Sequence, residues 1–332
     1  MSAADGIAPG QPARRKPTEG AAAWLSTRER GTLFGIRLAF GFARLVGRRL
    51  MRPIVSLVAL WYSLFDRKAV RHSRDWLRRV HGREPRFRDV YRHLRAFAQV
   101  TLDKVFLLQG QVRGMQFART GHELLVAATR TGRGALLLGA HVGSYDAMRA
   151  GGIGDGLPIS ILGFFGNSRM INSLLTRLSP GAAAQVIDLG EDPIDVMSRV
   201  QHAIEHGHLV ASMGDRIGLN AHVVQAPFFG ADAPFAGGPL LMAAVLKCPV
   251  YLVFGLYHEP DRYDLCCELF AERIELPRRD RATALQAYVR RYAERLEHYC
   301  RRAPDNWFNF HDFWALPAAT APQPKPAEDP PR

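Results

Sequence analysis

His141 and Asp146 are the residues best suited to do chemistry. They stand five apart in His141-Val142-Gly143-Ser144-Tyr145-Asp146, directly after the apolar run Ala135-Leu136-Leu137-Leu138-Gly139-Ala140. A short, wholly apolar run reads as a strand buried on both faces. Val142, Gly143 and Ser144 break it, and Tyr145 onward can open a helix. His141 then sits at the C-terminal end of a parallel strand, where open α/β sheets hold their ligands. Asp146 falls just inside the next helix, close enough to turn back on the imidazole as its orienting acid. The same spacing also suits a histidine that only caps a strand end beside a carboxylate. A His and an Asp five apart occur by chance in many chains.

A general base with an orienting acid fits acyl transfer from a thioester to an alcohol. The thioester is already activated, so no covalent enzyme intermediate is required. What is missing is a base for the hydroxyl proton, and a neutral imidazole with an ordinary pKa near 6.5 suits that task. The carboxylate fixes the tautomer and stabilises the imidazolium as it forms.

Three further residues belong at the same crevice. Arg169 falls at the mouth of the second α/β unit and could hold an acceptor phosphate or a developing oxyanion. An arginine at the start of a surface helix is the plainer reading, and Arg177 is a weaker candidate. Asp215 and Arg216 follow the strand-like Leu209-Val210-Ala211-Ser212-Met213, which should neighbour the strand of His141. They read as crevice-lining charges or as an ion pair that fixes the loop.

Other motifs carry less. His202 and His206 have i, i+4 spacing with His208 nearby, like half a zinc site, but no further ligand stands at motif spacing. Gly151-Gly152-Ile153-Gly154-Asp155-Gly156 follows a helix rather than a strand, so it fails as a dinucleotide fingerprint. There is no P-loop and no G-x-S-x-G elbow. No metal or redox cofactor is expected. The four cysteines, Cys248, Cys266, Cys267 and Cys300, form no disulfide framework and fit a reducing compartment.

Elements that must position these residues follow from patterning. Residues 1–23 are small, polar and rich in Pro and Gly, and 317–332 form an Ala/Pro-rich tail; both read as disordered. Residues 24–110 read as a helical, membrane-associated region. Within it Pro53 through Phe65 is apolar for about 13 residues, short of the roughly 20 needed to span a bilayer. An interfacial amphipathic anchor is therefore expected. Residues 111–316 alternate short strands and helices. Strands are expected at 135–140, 159–164, 185–188, 209–213, 222–226, 250–256 and 263–269. Helices are expected at 121–131, 145–151, 168–178, 192–206, 239–247 and 280–302. The fold class is α/β, a mixed and largely parallel sheet flanked by helices, with an antiparallel portion late in the chain.

Charge narrows the partners. The 44 basic and 31 acidic residues give a net charge of +13. That favours an anionic partner: nucleic acid, an acidic protein or a membrane surface. No zinc finger, RRM or helix-turn-helix signature supports nucleic acid. Arginines crowd between Arg71 and Arg95, where phospholipid headgroups or an acidic helix could meet them, although each alone reads as a solvated helix residue.

Four segments in order resemble the bacterial lipid A biosynthesis acyltransferases, within the H-x-x-x-x-D/E glycerolipid acyltransferase group. They are Gly139 through Asp146; Gly166-Asn167-Ser168-Arg169-Met170-Ile171-Asn172; Gly207 through Arg216 with Ala226-Pro227-Phe228-Phe229-Gly230 and Ala236-Gly237-Gly238-Pro239; and Ala303-Pro304-Asp305-Asn306-Trp307-Phe308-Asn309-Phe310-His311. The likeness runs from about Trp24 to Trp314. Two departures stand out: Asp146 where many such enzymes carry Glu, and Gly-Asp-Arg where the best known members have another residue after the Asp. The resemblance implies a glycerolipid acyltransferase-like fold at the cytoplasmic face of the bacterial inner membrane, and it leaves room for one N-terminal span. It implies a fatty acyl thioester donor, on acyl carrier protein rather than coenzyme A, and a lipid or glycolipid acceptor such as a lipopolysaccharide precursor. His141 and Asp146 become the catalytic pair, Asp215 matches an active-site Asp of the family, and Arg169 and Arg216 bind substrate or stabilise charge. His311, in the closing aromatic segment, reads as structural. A hydrolase using the same pair on water, or a membrane-binding relative without activity, are the rival readings.

Overall fold

The computed structural model describes residues 41, 45–153, 155–163, 185–190, 192–217 and 222–315. Both expected tails lie outside these residues. So do Arg169, Arg177 and the expected helix 168–178.

Among the described elements three helices come first: α1 (Arg48–Phe65), α2 (Arg67–His81) and α3 (Phe87–Leu107). Alternating elements follow: β1 (Gln116–Thr120), α4 (His122–Arg130), β2 (Ala135–Gly139), α5 (Tyr145–Ile153), β3 (Ile159–Gly163), β4 (Gln185–Asp188), α6 (Pro193–Glu205) and β5 (Leu209–Met213). The chain then runs through β6 (Val223–Phe228), β7 (Ala231–Ala236), α7 (Gly238–Leu246), β8 (Val250–His258), β9 (Arg262–Ala271) and α8 (Arg281–Arg302), and a 3-10 turn spans Pro304–Asn306.

Seven strands form one sheet in the order β1-β9-β8-β2-β5-β3-β4. Every pairing is parallel except β8 with β9. The expected mixed, largely parallel sheet with a late antiparallel portion is therefore present. Two strands escape the sequence reading. β1 is an edge strand with exposed, polar positions, so it lacks the apolar signal of a central strand. β7 carries Pro234, which weakens a strand pattern, yet it pairs with β6 alone in a separate hairpin. Phe229 and Gly230 both take positive φ in that two-residue turn, as a type I′ connection requires.

The central strands are buried on both faces, which explains their wholly apolar sequences. One face packs α6, α7 and α8 around Leu136, Leu138, Val210, Leu252 and Phe254. The other packs α4 and α5 against Leu137, Ala211 and Val253. Cys266 and Cys267 fall on opposite faces, as alternation requires.

Helices α1–α3 are locked onto this domain. Arg48 on α1 makes a bidentate pair with Asp103 on α3, at 2.7 and 2.8 Å, and both are buried. Gln99 and the Tyr263 hydroxyl also donate to Asp103, at 2.8 and 2.7 Å. The opposite side of α1 faces outward and is apolar: Leu57, Trp61, Leu64 and Phe65 are all more than half exposed. Among the described residues no helix is long and apolar enough to cross a membrane.

Candidate active site

Parallel register brings the site together. Gly139 at the end of β2 pairs with Met213 at the end of β5. His141 and Asp215 each lie two residues further on, so the two strand ends deliver them to one point. The Gly139 carbonyl is capped by the Gly214 N–H at 2.9 Å and by the Tyr292 hydroxyl at 2.8 Å, which holds the two ends in step. The turn after His141 needs glycine: Gly143 has φ +68, and a Cβ there would lie 2.0 Å from the Gly255 carbonyl oxygen.

Asp215 is buried and holds His141 twice. One carboxylate oxygen lies 2.8 Å from His141 Nδ1, and the other accepts the His141 backbone N–H at 2.9 Å. The Asn309 amide donates to that second oxygen at 2.7 Å. Burial alone would raise the Asp215 carboxyl, but His141, Arg216 and these hydrogen bonds hold it well below the usual carboxylate range. It is therefore ionised, and an ionised carboxylate only accepts. Nδ1 must carry the proton, and Nε2 presents a lone pair. The side chain of His141 is 26% exposed.

Asp146 does not take the part its spacing suggests. Among the described residues no hydrogen bond joins it to His141. Its carboxylate lies 3.6 Å from Lys104 Nζ on α3 instead. The five-residue spacing carries it into the first turn of α5, while the register of β5 puts Asp215 on the imidazole. The structure brings Asp215, and not the expected Asp146, against the His141 imidazole.

Arg216 is brought to the same cluster, and its Nε donates to the Asn309 side-chain oxygen at 3.2 Å. Asn309 thus bridges Arg216 and Asp215. Its orientation is fixed by chemistry, since the arginine only donates and the carboxylate only accepts. Sequence reasoning gave Asn309 no role. The only signal was its place in the closing aromatic segment.

That closing segment builds the back of the site. The Phe308 N–H donates to the His141 carbonyl at 2.8 Å, and the Gly143 N–H donates to the Asn306 carbonyl at 2.8 Å. Trp76 on α2 donates its Nε1–H to the Pro304 carbonyl at 2.8 Å. His93 on α3 is buried with Nε2 at 3.0 Å from the Trp307 carbonyl and Nδ1 at 2.9 Å from Ser73 Oγ. A carbonyl only accepts, so His93 carries its proton on Nε2 and is neutral; burial pushes its pKa down to about 4. Burial first, and then the nearby Arg216 charge, push the His311 pKa down to about 4 against the opposite pull of Asp215. It lies within the electrostatic reach of Arg216 and Asp215.

The other histidines show no convergent ligand set. The His202 and His206 rings are 4.0 Å apart, and His206 Nδ1 bonds the His202 carbonyl. His208 turns to Ser160 at 3.1 Å. Among the described residues no group of three or more His, Cys, Asp or Glu is arranged to hold a metal.

A family model for bacterial lipid A biosynthesis acyltransferases matches residues 19–315 of the chain. No curated protein sequence matches it.

Proposed function

Because the chain belongs to the bacterial lipid A biosynthesis acyltransferase family, and is thereby an acyl-transfer enzyme, we propose that it moves a fatty acyl chain from a thioester to a hydroxyl of a lipid or glycolipid. The observation that carries the reading is the Nδ1–H of His141 held by Asp215, with Nε2 left as the base. Nε2 takes the hydroxyl proton as the acceptor oxygen bonds to the thioester carbonyl carbon. The tetrahedral species collapses, the C–S bond breaks, and the imidazolium returns its proton to the leaving thiolate. Asp215 stabilises the imidazolium and stays ionised throughout. Asn309 steadies Asp215, and Arg216 supplies positive charge beside it. Arg169 lies outside the described residues and is proposed for substrate binding on the family resemblance alone.

The donor is proposed to be acyl carrier protein rather than coenzyme A. Exposed Arg71, Arg74 and Arg88 on α2 and α3 make no ion pair among the described residues and could meet an acidic partner. The acceptor side is proposed to be the cytoplasmic face of the inner membrane. The exposed apolar face of α1, with Trp61 at its centre and Arg49 and Arg52 in its first turns, supports an in-plane anchor on anionic lipid.

The test is mass spectrometry of lipid extracts incubated with the purified full chain and an acyl carrier protein thioester. A species heavier by one acyl chain, absent with His141→Ala, supports transfer. Free fatty acid released at the same rate without acceptor selects the hydrolase reading instead.

A further inference from the structure

Asn309 is buried and sits between two ions. Its amide N–H donates to Asp215 Oδ2 at 2.7 Å, and its side-chain oxygen accepts from Arg216 Nε at 3.2 Å. The chain on either side is pinned. The Phe308 N–H donates to the His141 carbonyl at 2.8 Å, and the Phe310 ring packs against His93 and Phe97 with ring centres 5.0 and 5.1 Å apart.

This placement decides how Asp215 shares its charge. An ionised carboxylate offers about four lone-pair sites, two on each oxygen. The His141 Nδ1–H takes one on Oδ1, and the His141 backbone N–H and the Asn309 amide take both on Oδ2. A guanidinium fork needs a site on each oxygen, so Asn309 closes that mode of approach. Burial works against the Arg216 charge and Asp215 works for it, so the guanidinium is drawn to that carboxylate. Its Nε–H nevertheless goes to the neutral amide. Among the described residues the other titratable groups near the pair are His311 and Asp312 in the closing segment, His72 on α2, and Asp146 on α5 with Lys104 on α3. Burial pushes both histidines toward the neutral form, Asp312 is exposed, and Lys104 engages Asp146. Asp215 and Arg216 therefore dominate the field at His141.

We propose that Asn309 is a positioning residue that keeps the Arg216 cation one amide away from the Asp215 carboxylate, and so reserves that carboxylate's charge for His141. A guanidinium locked onto Asp215 would match its charge, and an imidazolium forming on His141 would lose stabilisation. With the amide in place, Arg216 contributes positive charge to the site while His141 keeps its strength as a base. Asn309 touches no reacting atom and acts only through these two neighbours.

The proposal rests on His141 as the base, and two readouts keep the two ideas separable. The pH profile of kcat/KM is measured on the full chain with an acyl carrier protein thioester and a lipid-extract acceptor. The His141 imidazole is titrated in parallel by NMR of ¹³C-labelled histidine, its signal assigned by its loss in His141→Gln. Asn309→Leu removes both hydrogen bonds at similar volume and opens Asp215 to Arg216. The acid limb of the profile and the imidazole titration should both move down by about one pH unit, the low end of the effect of a nearby charge. In an Arg216→Met background the same change should produce no downward move, because the cation that would close on Asp215 is gone. A loss of packing alone would not depend on Arg216. Asn309→Ala serves if the leucine variant fails to fold. An imidazole titration that matches wild type, or the same downward move in both backgrounds, would overturn the proposal. A moved imidazole titration without a moved acid limb would uphold the role of Asn309 and overturn His141 as the base.

Discussion

His141 and Asp215 are separated by 74 residues and joined by two hydrogen bonds, one from the imidazole and one from the backbone of the same histidine. The double bond follows from in-register parallel pairing. Residues Ala135 to Gly139 pair with Leu209 to Met213 one for one, and the two strand ends leave the sheet together. The backbone bond fixes where the carboxylate sits, and the side-chain bond then fixes the tautomer. The imidazole is oriented by strand register and not by helical proximity.

The first prediction separates the two carboxylates. His141→Ala should lower turnover by about 10²- to 10⁴-fold, the usual scale for loss of a general base. Asp215→Asn should cost a comparable factor, because the amide favours the wrong tautomer. Asp146→Asn, which disturbs only the contact with Lys104, should retain most activity. Steady-state rates of the three purified variants decide the matter. Asp146→Asn matching Asp215→Asn in severity would return the orienting role to Asp146.

Acid sensitivity is the second. His93 has a folded pKa of about 4 against an ordinary value near 6.5, so the unfolded chain binds its proton first as pH falls. The stability it contributes is complete above about pH 6.5 and is lost as pH drops through 4. At pH 5 the loss from this group is about 2 kcal/mol. His311 acts in the same direction. The depressed carboxylate of Asp215 adds a further loss only below the ordinary carboxylate range near pH 4. Urea unfolding at pH 7 and pH 5 tests this. His93→Gln should start less stable but show a flatter slope between the two.

How much of this was legible beforehand depends on how local the signal is. The buried runs 135–140, 209–213 and 250–256 announce central strands because both faces are covered, and His141 at a strand end follows from that pattern alone. Asp215 was also visible as a strand-end charge. Its partnership with His141 was not, since register between strands 74 residues apart leaves no trace in either segment. Spacing favoured Asp146 because a five-residue separation is the only proximity a linear chain displays. Asn309 was invisible for the same reason: it reaches the site through a segment pinned by Trp76 and His93 on helices over 200 residues away in sequence.

The third prediction concerns the Arg48–Asp103 lock. Arg48→Met leaves the Asp103 carboxylate buried without its cation and should destabilise the chain by about 3–5 kcal/mol. Arg48→Met combined with Asp103→Leu removes both charges and should be less harmful than the single change. Melting curves of the two variants test the coupling. Additive losses would mean the pair is solvated and contributes little.

Membrane attachment gives the fourth. Leu57→Glu with Trp61→Glu places charge on the exposed apolar face of α1 without touching Met51, Val55 or Ala59 on its buried side. The double variant should lose most binding to anionic phospholipid vesicles in a flotation assay while its melting temperature stays close to wild type. High salt should release the wild-type chain only in part, because apolar burial and charge attraction act together. Complete release by salt alone would refute apolar anchoring.

Donor choice is the fifth. An acidic carrier protein meeting a basic surface gains encounter rate in a way that ionic strength suppresses. The arginines suited to this are those not already engaged, and several between Arg71 and Arg95 are engaged. Arg78 pairs with Glu84 and Asp75, Arg83 with Asp89, and Arg95 with Glu259. Reversing those would disturb local structure as well as the surface field. Arg71, Arg74 and Arg88 are the cleaner targets. Changing all three to Glu should raise KM for the carrier-bound donor several-fold and leave kcat nearly unchanged, because they act on encounter and not on the reacting carbonyl. The same variant should respond little to a coenzyme A thioester, which lacks the carrier's acidic helix. Equal losses with both donors, independent of ionic strength, would assign this basic surface to the membrane instead.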